Sequence, residues 1–255
     1  MKIMLTSIQN PKIQWVRSLL TQKKERYQEK VFVCEGVRLA EEAIRQRNPI
    51  LALFSSSISE HGKAILSSCT CEKLEVDPTL LDRVSDTITS QGLLLVVPFP
   101  EFAMPEKLNF CMLLDEIQDP GNFGTILRAA VAFGLQSIFY TPGSVDPYSP
   151  KVVRSAMGAH FQIPIQETNA KKIKELSQST QLFLAEAQNG IPCWEADLRQ
   201  PITIIIGSEA FGASQTIRQI PHQSLLIPMP GSMESLNAAM SANILLYEAA
   251  RQRAR

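Results

Sequence analysis

The chain has 255 residues, 45% of them hydrophobic, and its 25 Lys+Arg balance 25 Asp+Glu to a formal net charge of zero. That length predicts one large domain or two ordinary ones with a sizeable core, which excludes disordered, collagen-like and coiled-coil classes. The longest apolar runs, 92–99 and 202–207, fall far short of the ~18 residues of a spanning helix, and the first residues lack the apolar region of a secretion signal, so a cytoplasmic protein without a membrane partner is expected.

Residues 1–30 carry Lys2, Lys12, Arg17, Lys23, Lys24, Arg26 and Lys30 against only Glu25 and Glu29. This local excess fits a phosphate backbone as partner and equally fits a solvated helix face. Ile13, Val16, Leu19 and Leu20 have the spacing of a helix over 11–27, 31–34 reads as a strand, and Val37, Leu39, Ala40 and Ile44 predict a helix over 36–47. Short strands follow at 51–54, 73–76 and 93–97, which makes residues 1–100 a small α/β domain. Pro98, Pro100 and Pro105 resist both helix and ladder pairing and set a linker at 101–108.

Beyond it, apolar strands are expected at 111–114, 137–140, 161–165, 182–185, 202–206 and 224–227. Helices are expected at 125–133, 151–159, 171–179 and 214–219, and a long one after Ser235. Such alternation predicts an α/β fold, a mostly parallel sheet with helices on both faces. Ligands in such sheets sit at the carboxyl ends of the strands. Cys34, Cys69, Cys71, Cys111 and Cys193 are odd in number and form no CxxC pair, and His61, His160 and His222 are scattered, so neither a disulfide framework nor a metal site is expected.

Three loops after strands carry chemistry-bearing residues. The first, 115–130, has Asp119-Pro120-Gly121 turn chemistry, Asn122 as a candidate N-cap, an inward stripe of Ile126, Ala130 and Phe133, and Arg128 off that stripe. The second, Gly207-Ser208-Glu209-Ala210-Phe211-Gly212, is neither a Walker loop nor a dinucleotide fingerprint, but its glycines let backbone approach a ligand. The third, 227–242, runs through Pro228, Pro230 and Gly231 to Ser235, read as a helix cap, with Asn237 in the first turn and Leu236, Met240, Ile244 and Tyr247 as the helix's core-facing side. Each loop alone is also explained by ordinary capping and core packing.

Taken together, Asn122-x5-Arg128, Gly207-x-Glu209-x2-Gly212 and Ile227-Pro-Met229-x-Gly231-x3-Ser235-Leu236-Asn237, in that order at strand ends, closely resemble the three signature motifs of the SpoU/TrmH family of RNA ribose 2'-O-methyltransferases, within the SPOUT superfamily. The resemblance covers 109–255. Ile8-Gln9-Asn10-Pro11-Lys12, Phe32-Val33-Cys34-Glu35-Gly36-Val37-Arg38 and Ser90-Gln91-Gly92 resemble the family's L30e-like substrate-binding extension over 1–100.

The resemblance implies a core threaded into a deep C-terminal trefoil knot, a homodimer, and S-adenosyl-L-methionine as cofactor, held by Gly207, Glu209, Ile227, Met229, Ser235 and Leu236. It implies catalytic roles for Arg128, Asn122, Glu209, Ser235 and Asn237, in transfer of a methyl group to a ribose 2'-hydroxyl without a metal. A guanidinium, with a pKa above ~12, is a poor general base, so Arg128 is read as a phosphate anchor and stabiliser of alkoxide charge. Asn122 would orient the Arg128 loop, Ser235 and Asn237 would position ribose or cofactor, and Glu209 would fix its loop. The third motif departs from the usual Leu-Asn-Val-Ser at Ala238 and Ala239, so the second serine's role does not carry over. Lys12, Arg17, Lys23, Lys24, Arg26 and Arg38 are the candidate RNA contacts. Members with this extension point to 23S ribosomal RNA as substrate, with transfer RNA as the alternative. A noncatalytic RNA-binding or ribosome-assembly factor of the same fold, or an unrelated α/β protein binding a phosphorylated small molecule, are the readings from other classes.

Overall fold

A computed structural model describes residues 4–46, 48–87, 89–103 and 105–254. Lys2 of the basic stretch, Arg47 of the expected second helix, Met104 of the linker and Arg255 at the end of the expected catalytic domain lie outside the described residues. The chain forms two compact units: Met1–Glu101 with Asp146–Phe161, and Phe102–Val145 with Gln162–Arg255.

In the first unit, α1 (Pro11–Thr21) starts where Asn10 Oδ1 accepts from Lys12 N at 2.9 Å and Pro11 supplies a preset φ. Gln22 adopts an extended backbone (φ −119°, ψ 113°) and separates α1 from α2 (Lys23–Glu29), so the single helix expected over 11–27 is two. There follow β1 (Val31–Glu35), α3 (Val37–Gln46), β2 (Leu51–Phe54), α4 (Glu60–Ser68), β3 (Glu72–Glu75), α5 (Pro78–Val84) and β4 (Leu93–Pro98). The sheet order is β1-β4-β2-β3, with β4 antiparallel to both neighbours and β2 parallel to β3.

Successive residues of a strand point to opposite faces, and here both faces are covered. Val31, Val33, Leu94 and Val96 pack with Ile13, Val16 and Leu19 of α1 on one side. On the other, Phe32, Cys34, Leu93 and Leu95 pack with Tyr148, Val153 and Phe161. Residues 146–161 therefore complete a core begun more than a hundred residues earlier in the chain.

Arg26 sits in that unit with only 4% of its surface exposed. Its Nε donates to Asp146 Oδ2 at 2.9 Å, Nη2 donates to the same oxygen, and Nη1 donates to the carbonyls of Leu19 and Leu20. This corrects its place among the RNA contacts, because a guanidinium consumed by a buried carboxylate and two carbonyls has no donor directed to solvent. His160 is also buried here. Its Nε2 lies 2.7 Å from the Pro147 carbonyl, and burial pushes its pKa down to about 4, so the ring is neutral and Nε2–H is the donor.

The second unit opens with β5 (Phe110–Leu114), α6 (Pro120–Ala132) and β6 (Ser137–Tyr140). The chain then contributes α7 (Pro150–Ala156) and a short 3-10 turn (Ala159–Phe161) to the first unit, and returns as β7 (Ile165–Glu167), α8 (Ala170–Ser179), β8 (Gln181–Glu186), β9 (Ile191–Pro192), β10 (Ile202–Ile206), α9 (Gln215–Arg218), β11 (Gln223–Leu226) and α10 (Ala238–Arg253). The strand expected over 161–165 starts only at Ile165, because Phe161 turns away to pack on Phe32, ring centroids 5.7 Å apart.

Every strand pairing in the second sheet is parallel, in the order β7-β6-β5-β10-β8-β11-β9. β5 and β10 are buried along their whole length, as expected of strands covered on both faces. The α/β, mostly parallel reading thus holds.

Two helix starts differ from expectation. Asp119, not Asn122, caps α6, accepting from Asn122 N at 2.7 Å, and Pro120 then begins the helix five residues before residue 125. Asn237, not Ser235, caps α10, its Oδ1 accepting from Ala239 N and Met240 N. On α10 the buried side is Ala238, Ala239, Ala242, Leu245, Leu246 and Ala249, whereas Met240, Ile244 and Tyr247, read as core-facing, lie on the opposite, exposed side, Tyr247 at 60%. Small residues let α10 lie close to α6, and the larger apolar side chains therefore point outward. All five cysteines are free thiols. No described helix is long and apolar enough to cross a membrane.

Candidate active site

The carboxyl ends of β8, β10 and β11 in the second unit converge on a cavity of about 210 Å3. Its floor is apolar, from Ala185, Ile206 and Leu225, and its walls come from the two loops that follow β10 and β11. A second cavity, of about 380 Å3, adjoins it and shares Ala187, Ile227 and Met229 in its lining.

The loop after β10 is a tight hairpin. Ser208 N donates to Gly212 O at 3.0 Å and Gly212 N returns the bond to Ser208 O at 2.9 Å. A Cβ at residue 207 would lie 2.5 Å from Ala213 N, inside van der Waals contact, so only glycine allows this closure. The hairpin presents Glu209 to the cleft.

Beneath it, the fully buried Asp115 at the end of β5 accepts from Ser214 N at 2.6 Å, Ser214 Oγ at 3.2 Å and Thr141 Oγ1 at 2.9 Å. These bonds supply the partners a buried carboxylate requires and fix where α9 begins.

The three motif loops meet in one hydrogen-bonded chain. Asn122 Nδ2 donates to Glu209 Oε1, and Asn237 Nδ2 donates to Asn122 Oδ1 at 3.0 Å. Asn237 Oδ1 in turn accepts the first free N–H groups of α10. A carboxylate only accepts, so Glu209 requires the amide nitrogen of Asn122, which leaves the Asn122 oxygen to Asn237 and the Asn237 oxygen to the helix. One carboxylate therefore orients two amides and ties the cleft to the starts of α6 and α10.

Gly207, Glu209, Ile227, Met229, Ser235 and Leu236 all bound the cavity. Asn122 and Asn237 join it through Glu209. Arg128 does not bound it. It stands on the exposed face of α6 with Thr125, and among the described residues no hydrogen bond or ion pair engages it. Glu186 is a second carboxylate in the wall that sequence reasoning passed over, held by Arg218 Nη1 at 2.7 Å. Its signal was available, since it closes apolar β8 much as Glu209 follows apolar β10.

Of the basic residues, Lys12 pairs with Glu72 at 2.9 Å and Lys23 lies 5.2 Å from the Tyr27 ring centre. Arg17, Lys24 and Arg38 are exposed. Among the described residues no group of three His, Cys, Asp or Glu could hold a metal ion.

Comparison with known proteins identifies the family. Residues 109–247 match the SpoU rRNA Methylase family, and residues 10–95 match the MRM3-like substrate binding domain. The chain is 32% identical to an uncharacterized tRNA/rRNA methyltransferase of Synechocystis, covering 97% of this chain and 93% of the relative. It is 31% identical to the 23S rRNA (guanosine(2553)-2'-O)-methyltransferase of Bacillus subtilis, over 95% of this chain and 97% of the relative. Among solved structures it is similar to the SpoU methyltransferase AviRb from Streptomyces viridochromogenes in complex with AdoMet, with a TM-score of 0.88, 27% identity, and coverage of 96% of this chain and 99% of that one.

Proposed function

Because the chain belongs to the SpoU rRNA methylase family, we propose that it transfers a methyl group from S-adenosylmethionine to a ribose 2'-hydroxyl of 23S ribosomal RNA. The observation that carries this reading is the Glu209–Asn122–Asn237 chain, which joins all three motif loops beside a cleft walled by the second and third.

The cleft suits the cofactor on chemical grounds. Ile227, Met229 and Leu236 offer apolar walls to an adenine ring, and the carboxylates of Glu186 and Glu209 complement a cationic sulfonium and ammonium. When bound, the cofactor supplies an electrophilic methyl group. Transfer then depends on the chain holding the acceptor oxygen in line, a positioning task. Asn122 and Asn237 fix the loops that border the acceptor, and Ser235, exposed at the cleft, offers a hydroxyl to ribose or cofactor. Arg128, with five donors and no partner among the described residues, anchors the acceptor's phosphate and stabilises developing alkoxide charge.

The finer readings rest on the same footing. A trefoil knot is supported by the return of 227–237 from β11 to Asn122, an L30e-like character of residues 1–100 by the match to the substrate-binding family. A homodimer is supported by the exposed Met240, Ile244 and Tyr247 stripe on α10, with Phe133 edge-on to Tyr247 at 6.3 Å. Ribosomal RNA as substrate makes the cytoplasm its place of action. Arg17, Lys24 and Arg38 remain free to meet RNA, while Lys12 and Lys23 must first leave or share their present contacts.

The test is transfer of tritium from labelled S-adenosylmethionine to undermodified 23S ribosomal RNA and, in parallel, to transfer RNA, with Arg128→Ala alongside. Label in alkali-resistant dinucleotides of 23S RNA, lost in the variant, is expected. Label confined to transfer RNA overturns the substrate, and absence of both transfer and cofactor binding overturns the methyltransferase.

A further inference from the structure

The first unit contains a cavity of about 550 Å3, within the ~300–1,000 Å3 of small-molecule sites. It is formed where β1 turns into α3, bringing Arg38 beside Gln91, and is closed by Arg154 and Met157 at the end of α7. The last two come from the part of the chain between β6 and β7, outside the 10–95 stretch that matches the substrate-binding domain.

The polar lining of this cavity combines the donors of Arg38, Gln91 and Arg154 with Ser57, Ser59, His61 and the carboxylate of Glu35. Gln91 Oε1 is consumed by Val37 N at 2.9 Å, which leaves its amide nitrogen with two hydrogens and no partner among the described residues. Arg38 is exposed and equally unengaged among the described residues. Arg154 Nη1 lies 2.7 Å from Asp86 and 3.9 Å from the buried Glu35, and Arg154 lines the cavity. Glu35, which also lines the cavity, accepts from Asp86 N and Thr87 Oγ1 and lies beside Arg154, so its oxygens are already engaged. Beside these donors lie apolar Val37, Leu39 and the half-exposed Met157 thioether.

We propose that this cavity receives a single unpaired nucleotide of the RNA substrate, its phosphate on Arg38 and Arg154, a base acceptor on the Gln91 amide, and the base ring against Met157. The inference rests on the RNA reading above and deepens it. A flipped-out nucleotide combines an anion, ring acceptors and an apolar face, the complement of this lining. Because α7 and its C-terminal cap supply two of the four contacts, Arg154 and Met157, residues 1–100 alone would lack half of the site.

The test measures anisotropy of labelled, undermodified 23S RNA fragments binding to the full chain and to three variants, with cofactor binding and methyl transfer followed in parallel. Arg38→Ala removes an unengaged cation, and Gln91→Glu keeps the oxygen that caps Val37 but removes both donors. Arg83→Ala, an exposed arginine of α5, controls for loss of any positive charge. One bidentate contact is worth roughly 5- to 150-fold in affinity. The two cavity variants should therefore bind RNA at least ~10-fold more weakly, with cofactor affinity unchanged and the control within about 2-fold. Crosslinks from 4-thiouridine RNA should map to peptides holding Arg38 or Met157. Unchanged affinity in both cavity variants, or equal losses in all three, overturns the proposal and leaves methyl transfer by the unmodified chain intact. RNA binding that depends on Arg38 without any methyl transfer supports the cavity and overturns the function. Absence of RNA binding by the unmodified chain overturns both.

Discussion

Asn237 performs two tasks that substitution can separate. Its oxygen caps α10 and its nitrogen donates to Asn122. Asn237→Ala removes both. Loss of an Asn cap costs about 1 kcal/mol and loss of a neutral hydrogen bond about 1 more. The sum of about 2 kcal/mol should lower the melting temperature by ~4–8 °C, at roughly 2–4 °C per kcal/mol for a chain of this size. Asn237→Asp keeps an oxygen for Ala239 N and Met240 N, and Asp caps as well as Asn. It has no donor for Asn122, whose own oxygen now faces a carboxylate. The Asp variant, which loses only the hydrogen bond, should therefore melt ~2–4 °C below the unmodified chain, about half the loss of the Ala variant, while its single-turnover methyl transfer falls with that of the Ala variant, by ~10-fold for each 1.4 kcal/mol of lost positioning. Thermal unfolding and quenched-flow transfer read the two effects independently. Full transfer by Asn237→Asp would refute the claim that the amide chain positions the active site, and equal destabilisation of both variants would refute the cap.

Other expectations follow from the first unit and from α10. Arg26→Ala leaves the buried Asp146 without its cation and should cost about 3–5 kcal/mol in urea unfolding, whereas a residue that only contacts RNA would change affinity and its salt dependence but not stability. His160 has a folded pKa of about 4, below its ordinary 6.5, so the unfolded chain binds the extra proton between those values. Stability should be full above pH 6.5 and fall towards pH 4, at up to ~1.4 kcal/mol per pH unit. In His160→Gln that part of the acid slope should vanish from unfolding curves taken across the window. Ile244→Glu places a charge on the exposed apolar stripe of α10; on the proposed homodimer, sedimentation velocity should find dimers of the unmodified chain and monomers of the variant, and monomers of both would refute it.

Much of this was legible in the sequence because the signals were local. Apolar runs such as 202–206 are buried strands whichever helices cover them, and the three loops follow strand ends where an α/β sheet binds ligands. What escaped needed distant partners. Arg26 reads as one more surface cation until Asp146, 120 positions later, faces it. Phe161 continues an apolar run into a strand until Phe32 takes it elsewhere. The helical period of Met240, Ile244 and Tyr247 is real, but period alone does not say which of two stripes turns inward, and α10 buries its alanines instead. At Asp119 and Asn237 the error was one of choice among neighbouring cap formers, decided by which side chain reaches the free N–H groups.

The loan of residues 146–161 to the first unit sets an order of events during synthesis. When residue 101 leaves the ribosome, the sheet face carrying Phe32 and Leu95 still lacks Tyr148, Val153 and Phe161. At 5–20 residues per second the missing cover arrives about 3–12 s later, after β5, α6 and β6 of the other unit have already been made. The nascent chain must therefore carry an incompletely covered apolar surface through the translation of part of its neighbour, and a fragment cut at residue 101 would keep only the part of that cover that α3 and α4 supply.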